Sequence, residues 1–378
     1  MPIEISLATS ISEIDAQQWD ALTDGSPILS HAFLSALEDT GCVGAESGWQ
    51  PYPITAFDDG KLVGAVPLYL KSHSYGEYVF DWSWADAYER NSVAYYPKLL
   101  VAVPFTPITG ARLLSADLQV QAAMADMLVQ QMGEHSLSSA HILFPDASTA
   151  AILSAEGWIK RTGVQFRWEN EGFTGFDDFL SRLSHDKRKK IRQERNKVVA
   201  SGVSYKRLSG AEIRDSDWDF FFRCYQNTYL EHHSRPYLTR EFFHEIGKRM
   251  PGNILLVIAE QDNKPIAAAF NLFDATTLYG RYWGALQFVP GLHFELCYYQ
   301  AQEFCIERAI RFFEGGAQGE HKLARGFRPR QTSSYHMIAH PDFEAAIKRF
   351  VGQEANGMAN YHNELEERAP FKDLMKNS

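Results

Sequence analysis

Two short stretches of this chain gather side chains that could do acid–base chemistry. In "GLHFELCYYQ", Glu295 falls in the first turn of a helical pattern and is followed by Tyr298 and Tyr299. A partly buried carboxylate at such a place can be tuned toward neutrality and serve as a base. Equally, a Glu in a first turn can simply complement the helix dipole. In "GEHKLARGFRPR", His321 has an ordinary pKa close to working pH and stands among Glu320, Lys322, Arg325 and Arg328. The basic side chains suit a phosphate or carboxylate, because a guanidinium can hold two oxygens at once. A surface loop pinned by ion pairs, with a structural histidine, is the competing reading.

A third stretch, "FDWSWADAYERNSVAYYPKL", brings together Trp82, Trp84, Asp86, Tyr88, Tyr95, Tyr96 and Lys98. Such a density of aromatics could line a pocket for a ring or sugar, with the carboxylate orienting an amine. It could also be core. A fourth, "SHDKRKKIRQERNKV" (184–198), concentrates positive charge in a chain of formal net charge -10. As a helix it turns Leu180, Leu183, Ile191 and Val198 to the protein and most of its Lys and Arg to solvent. Three uses stay open: a solvated face, a contact for tRNA or another polyanion through residues such as Arg188 and Arg192, or an anchor for a small phosphorylated substrate. The pair His232-His233 lacks H-E-x-x-H spacing, so no metal is expected. The chain has no G-x-S-x-G elbow, P-loop or G-x-G-x-x-G, so hydrolase, ATPase and dinucleotide readings lose their main support.

The elements that must position these residues follow a repeated order. Helical "WDALTDGSPILSHAFLSALEDTG" precedes a hairpin, "YPITAFDDGKLVGAVPLYLKS", that turns at Asp58-Asp59-Gly60. Later, helical "WDFFFRCYQNTYLEHHSRPYLTREFFHEIGKRM" precedes "NILLVIAEQDNKPIAAAFNLF", which turns at Asp262-Asn263. An aromatic strand is expected next in each half, "FDWSWADAYE" and "LYGRYWGALQ". A long helix follows each, "SADLQVQAAMADMLVQQM" and "HFELCYYQAQEFCIERAIRFF". In the second, Phe294, Cys297, Tyr298, Ala301, Cys305 and Ala309 make one buried stripe. Strands separated by helices imply an α/β (α+β) fold with mixed sheets, and the repetition implies two similar domains. Their expected bounds are 1–168 and 169–378, the second including the basic helix 184–198. A chain of 378 residues, 45% hydrophobic and without an apolar run of bilayer length, reads as a globular cytosolic protein with no membrane span. Cys42, Cys224, Cys297 and Cys305 are scattered, which indicates neither zinc site nor disulfide framework.

The stretches "GRYWGALQFVPGLHFELCYYQAQEFCIERAI" and "FFEGGAQGEHKLARGFRPRQTSSYHMIAHPDF", with the basic segment and "YVFDWSWADAYERNSVAYYPKLLVAVPFTPITGARLL", together resemble the FemAB-like proteins, tandem acyltransferase domains of the GNAT fold. The resemblance implies transfer of an acyl or aminoacyl group to an amine. The donor would be acyl-CoA, as in GNAT enzymes, or aminoacyl-tRNA, as in Fem-type enzymes that build peptidoglycan cross-bridges, with no tightly bound cofactor. The acceptor would be a small-molecule or peptide amine. It places the donor's carbonyl at a splayed strand and its phosphates at the following helix N-terminus. The loops there, "VPFTPITGARLL" and "ALQFVPGLHFE", depart from the CoA-binding pattern and offer only Gly110-Ala111 and Gly291. Under the resemblance Glu295 and His321 are the acid/base candidates, and Tyr298 or Tyr299 donates to the leaving group or oxyanion. Trp84, Asp86, Tyr88, Lys98, Arg112, Arg281, Lys322, Arg325 and Arg328 contact substrate. A duplicated fold that has lost catalysis and binds a peptide, wall fragment or RNA is the alternative.

Overall fold

The computed structural model describes residues 3–317, 319–368 and 370–371. Its strands, in chain order, are β1 (Glu4–Leu7), β2 (Trp49–Pro51), β3 (Ile54–Asp58), β4 (Lys61–Val66), β5 (Leu68–Lys71), β6 (Lys98–Val101), β7 (Ser139–Leu143), β8 (Ile159–Glu169), β9 (Val203–Ser209), β10 (Ile254–Gln261), β11 (Lys264–Phe273), β12 (Thr277–Ala285), β13 (Phe312–Glu314) and β14 (Arg328–Ile338). Two compact units divide the chain: Met1–Gly163 with Gln331–Asn360, and Val164–Arg330 with Tyr361–Ser378. Residues 331–360, which lie in sequence between the two segments of the second unit, thus belong to the first. The protein is α/β with a mixed sheet typical of a GNAT-like fold.

In the first unit β3 and β4 form the expected hairpin, with Asp59 and Gly60 at φ +47 and +76 between the paired Asp58 and Lys61. Those left-handed angles match the twist of the strands, and Gly60 adopts one without a Cβ penalty. Beside β5, β6 runs antiparallel to it and parallel to β7. The helix Leu118–Glu134 joins β6 to β7 and buries Val120, Met124, Ala125 and Leu128 at three- and four-residue spacings. The segment expected as an aromatic strand is instead a helix, Trp82–Arg90. Trp84 and Tyr88, four residues apart, are its buried face, and they pack with Tyr95, Ile347 and Val351. The strand that does follow in the sheet is β6, which begins at Lys98 and pairs with β7, whose other neighbour is β14.

In the second unit β9, β10, β11 and β12 form an antiparallel run, with the second hairpin turning at Asp262 and Asn263, φ +51 and +60. Strand β13 then pairs parallel with β12 and antiparallel with β8. The expected long helix after β12 is present as one continuous helical rod from Leu292 to Glu307, but Glu295–Tyr299 is wound as a π-helix. Its buried stripe holds at Tyr298, Ala301 and Cys305, whereas Ala309 lies past the helix end, exposed and at φ +54. The basic segment is a helix, His185–Ala200, with Leu180 and Leu183 just before it and Ile191 and Val198 on it all buried as expected.

Candidate active site

The second unit opens where β12 and β13 part. Their parallel pairing covers only Thr277–Tyr279 with Phe312–Glu314, after which β13 ends and β12 continues to Ala285. Just beyond the paired residues β12 also bulges: Gly280 faces Asn271 and Tyr282 faces Phe270, leaving Arg281 with no residue opposite. A bulge re-aims side chains and is common beside active sites. Into the resulting cleft, about 140 Å³ in volume, come Arg281, Tyr282 and Trp283 from β12, Asn271 from β11, and His293, Cys297 and Tyr298 from the following helix. Cys297 and Tyr298 both belong to the π-turn, and such turns recur at functional sites.

Tyr298 connects this cleft to the surface. Its Oη lies 3.0 Å from Nε2 of His321, which is exposed. Burial pushes the Tyr298 phenol up, and burial together with Arg325 and Lys322 pushes the His321 imidazole down. The pair therefore stays neutral near pH 7. His293, ringed by His321, Arg325 and Lys322, is held down to about 4, mainly by burial. Burial also raises the Cys297 thiol, so it is no ready nucleophile.

Below the cleft two neighbouring residues of the basic helix reach in different directions. Glu194 accepts both oxygens' worth of hydrogen bonds from Arg325 Nη2, each at 2.8 Å, and takes the Tyr299 hydroxyl as well. Arg325 in turn donates to Tyr299 Oη at 3.0 Å and to the His321 carbonyl at 2.7 Å, and its guanidinium sits 3.5 Å from the Phe294 ring centre. Arg195 donates to Glu295 at 3.2 and 3.0 Å and to Glu303 at 2.7 Å. Glu295, which also accepts from Gln300 at 2.9 Å, is buried; burial raises its pKa against the lowering pull of Arg195. Neither Glu295 nor Tyr299 lines the cleft. Lys322 is buried, and burial brings its amine down to about 8. Arg328 pairs with Glu171 at 2.9 Å. Arg188 is half-buried, and exposed Arg192 meets Asp177 at 3.2 Å.

The candidate residues of the first unit form a different kind of centre. Lys98 is fully buried and donates to Glu77 at 2.9 Å, to Ser74 at 2.8 Å and to Asp81. Its ammonium is thus met by two carboxylates of the preceding loop. Burial pushes Glu77 up to about 7, while at Asp81 Lys98 and His141 overcome burial and carry the carboxyl down. Tyr95 donates to Asp81 at 2.6 Å and lies 3.3 Å from His141, whose Nδ1 meets Nδ1 of His336 at 2.6 Å. Lys71, fully buried over the Trp49 ring at 3.9 Å, is brought down to about 7 by burial. Arg112 is also fully buried, and its nitrogens donate to the carbonyls of Leu143, Ala111 and Ile108. Asp86 is exposed, whereas Trp84 Nε1 and Tyr88 Oη are buried without a hydrogen-bond partner. Gly110 is bonded to the Phe144 carbonyl, and the helix that follows starts only at Leu118, with the Asp117 carboxylate at its cap.

Sequence reasoning missed Glu77, Asp81, Lys71, His141, His336, Glu194, Arg195 and His293. For the two carboxylates a signal existed: Glu77 and Asp81 interrupt the aromatic stretch ahead of Lys98. Among the described residues no group of three or more His, Cys, Asp or Glu could hold a metal, and no helix is long and apolar enough to cross a membrane.

Comparison with known proteins bears on this geometry. The solved structure of FemX superposes over 89% of this chain and 98% of its own, with TM-score 0.56 and 11% identity. A C-terminal domain of a putative lysylphosphatidylglycerol synthetase from Agrobacterium fabrum covers 89% and 96%, with TM-score 0.54 and 10% identity. L-PGS from Bacillus licheniformis covers 89% and 97%, with TM-score 0.53 and 9% identity. At these identities the likeness is one of fold. No curated protein matches by sequence. The model of the FemAB-like family, described as peptidoglycan biosynthesis/recognition, matches residues 10–373, nearly the whole chain with both units. That match, with a sheet that opens between two parallel strands, supports acyl or aminoacyl transfer in a broad sense, and the chain belongs to the FemAB-like family.

Proposed function

We propose that the cleft between β12 and β13 is where an acyl or aminoacyl group passes from its carrier to an amine. One observation carries this reading: β12 runs on past the end of β13, beside a tyrosine and histidine in hydrogen-bond contact. The edge of β12 left open there offers backbone N–H groups that can polarise a carbonyl and hold the oxyanion formed on attack. The amine must arrive neutral. It attacks the carbonyl carbon, the bond to the carrier breaks, and the amine's proton is the one finally gained by the leaving group. Tyr298 donates to that group and His321 replaces the proton from the amine side through solvent. No covalent enzyme intermediate and no metal is invoked.

Glu295 acts at one remove in this scheme. Held by Arg195 and Gln300, it fixes the first residue of the π-turn that presents Tyr298. The first unit, with its own hairpin and its own parallel strand pair joined by a helix, is read as a second GNAT-like domain in tandem. The exposed Lys189, Lys190, Arg192 and Lys197 give the basic helix a positive outer face that would draw in an anionic carrier, CoA or tRNA. An acceptor amine from peptidoglycan metabolism agrees with the family's description. The test is to incubate the intact protein with acetyl-CoA or with charged tRNA and a panel of amines, and to search for acylated amine by mass spectrometry. Transfer that depends on Tyr298 and His321 supports the reading; transfer untouched by either substitution removes it.

A further inference from the structure

One residue of the cleft is out of keeping with its strand. From Ile266 to Leu272 β11 reads Ile-Ala-Ala-Ala-Phe-Asn-Leu and is buried throughout, and Asn271, 2% exposed, is the polar exception. Asn is disfavoured in strands, and a buried amide costs stability unless its hydrogen bonds are made. Among the described residues the Asn271 side chain makes a single bond: Nδ2 donates to the carbonyl of Leu255, its neighbour across the ladder on β10, at 3.4 Å, which is long for such a bond. A carbonyl can only accept, so this contact fixes Nδ2 there and leaves Oδ1, an acceptor, without a protein partner. On the other side the residue opposite is Gly280 of β12, which has no side chain to meet the amide. Asn271 shares a face of β11 with Ala267 and Ala269, whose core includes Leu296 and Tyr299 of the following helix, and it lines the cleft together with Cys297 and Tyr298. The space is also small. At about 140 Å³ it is a few times the roughly 30 Å³ that a water occupies in the liquid, room for a short chain of a few heavy atoms.

We infer that Asn271 sets the specificity of this cleft: its Oδ1 accepts a hydrogen bond from a hydroxyl or amino group on a short transferred acyl chain, and a chain of the same size ending in methyl is disfavoured. The inference rests on the reading of the cleft as the acyl site. A methyl group brought into the cleft strips water from a buried acceptor and returns no bond. A site built around such an acceptor rejects the analogue that lacks the donor far more sharply than an apolar pocket rejects an added hydroxyl. Turning the amide over offers no escape, because it would set Oδ1 against the Leu255 carbonyl, one acceptor facing another.

Three stable thioethers of similar size test this: S-propyl-CoA, S-(2-hydroxyethyl)-CoA and S-(2-aminoethyl)-CoA. Binding of each to the intact protein is measured by calorimetry, and its shielding of Cys297 from a maleimide by peptide mass spectrometry. Propionyl-tRNA, glycolyl-tRNA and glycyl-tRNA are the matching set if tRNA is the carrier. Expected is at least about tenfold tighter binding of the hydroxyethyl or the aminoethyl compound than of the propyl compound, the tighter of the two naming the donor group. Asn271→Leu, close in shape, should bring that pair to within about twofold of each other, whereas a merely structural Asn271 would weaken all three compounds alike and keep their ratio. In Asn271→Asp burial favours the neutral carboxyl, which can donate to Leu255 and still accept, so the preference should persist. Propyl binding as tightly as both donor-bearing compounds, or a preference that survives Asn271→Leu, overturns the inference; shielding of Cys297 by the bound compounds then leaves the cleft as the acyl site. Failure of every CoA and tRNA compound to bind, or binding with Cys297 labelled at its original rate, overturns the reading of the cleft itself, and the inference with it.

Discussion

Arg325 donates from a single nitrogen to both carboxylate oxygens of Glu194, 2.8 Å away in each case, and Arg325 is itself almost wholly buried. The pair ties the short turn that carries His321 to the basic helix. Glu194→Gln should therefore leave a buried guanidinium without its counter-charge and cost about 3 kcal/mol. Urea unfolding followed by circular dichroism checks this, and Lys189→Gln on the same helix, exposed, should change stability by no more than about 0.5 kcal/mol.

His321→Ala and Tyr298→Phe should each lower the transfer rate roughly 100-fold or more, with unfolding of the His321 variant unchanged because that side chain is exposed. With the rate expressed per neutral amine, so that the acceptor's own protonation drops out, the acid limb of the profile should fall below pH 6.5, because burial, Arg325 and Lys322 hold the imidazole below its usual 6.5. In His321→Ala that limb should vanish. A wild-type limb above pH 6.5 would rule out His321 as the titrating group.

Lys71 gives a pH signature to the first unit. Its amine titrates near 7 in the folded chain, because of burial, and near 10.5 when unfolded. Between these values the unfolded chain binds more protons, so folding stability should rise from pH 7 to pH 10 through this group. Lys71→Met lacks the group and should lose that rise, gaining on the wild type most at pH 6 to 7. A parallel pH dependence of the two proteins would refute the assignment.

Gly284 sits where β12 passes a helix, with the place of a Cβ only 1.9 Å from the Cys224 carbonyl oxygen and 2.4 Å from its carbon. Backbone must move to admit a methyl group. Gly284→Ala should cost about 1–3 kcal/mol and shift Trp283, whose carbonyl accepts from Thr228. Gly252→Ala, with open space around the same position, serves as the control and should be near neutral.

Local signals were legible in the chain. Both hairpins could be read because their turns are written in adjacent residues, Asp59-Gly60 and Asp262-Asn263, that tolerate positive φ. The helices followed from apolar periodicity. Trp82–Arg90 was not legible as a helix, because aromatics favour strands and only the spacing of Trp84 and Tyr88 spoke against one. The π-turn at Glu295–Tyr299 was hidden for a related reason: one extra residue per turn leaves Phe294, Tyr298 and Ala301 in an acceptable α pattern. At the candidate site, the chemistry of His321, Tyr298 and Lys98 was visible as residue type, but their partners were not. Glu194 lies 131 residues from Arg325, and Arg195 lies 100 from Glu295. No short-range pattern couples residues so far apart, and the basic segment could not show that two of its charges face inward.

The most direct measurement uses Cys297, which lines the cleft and is half-buried while Cys42, Cys224 and Cys305 are buried. Because burial raises the thiol, labelling by excess maleimide is slow, and its rate is followed over hours by peptide mass spectrometry, without and with a saturating acyl donor, whichever of acetyl-CoA or charged tRNA supports transfer. Protection of Cys297 by fivefold or more, at unchanged labelling elsewhere, is expected if the donor's acyl end occupies the space between β12 and β13. Saturation by the donor with Cys297 labelled at its original rate would place the chemistry elsewhere in the protein.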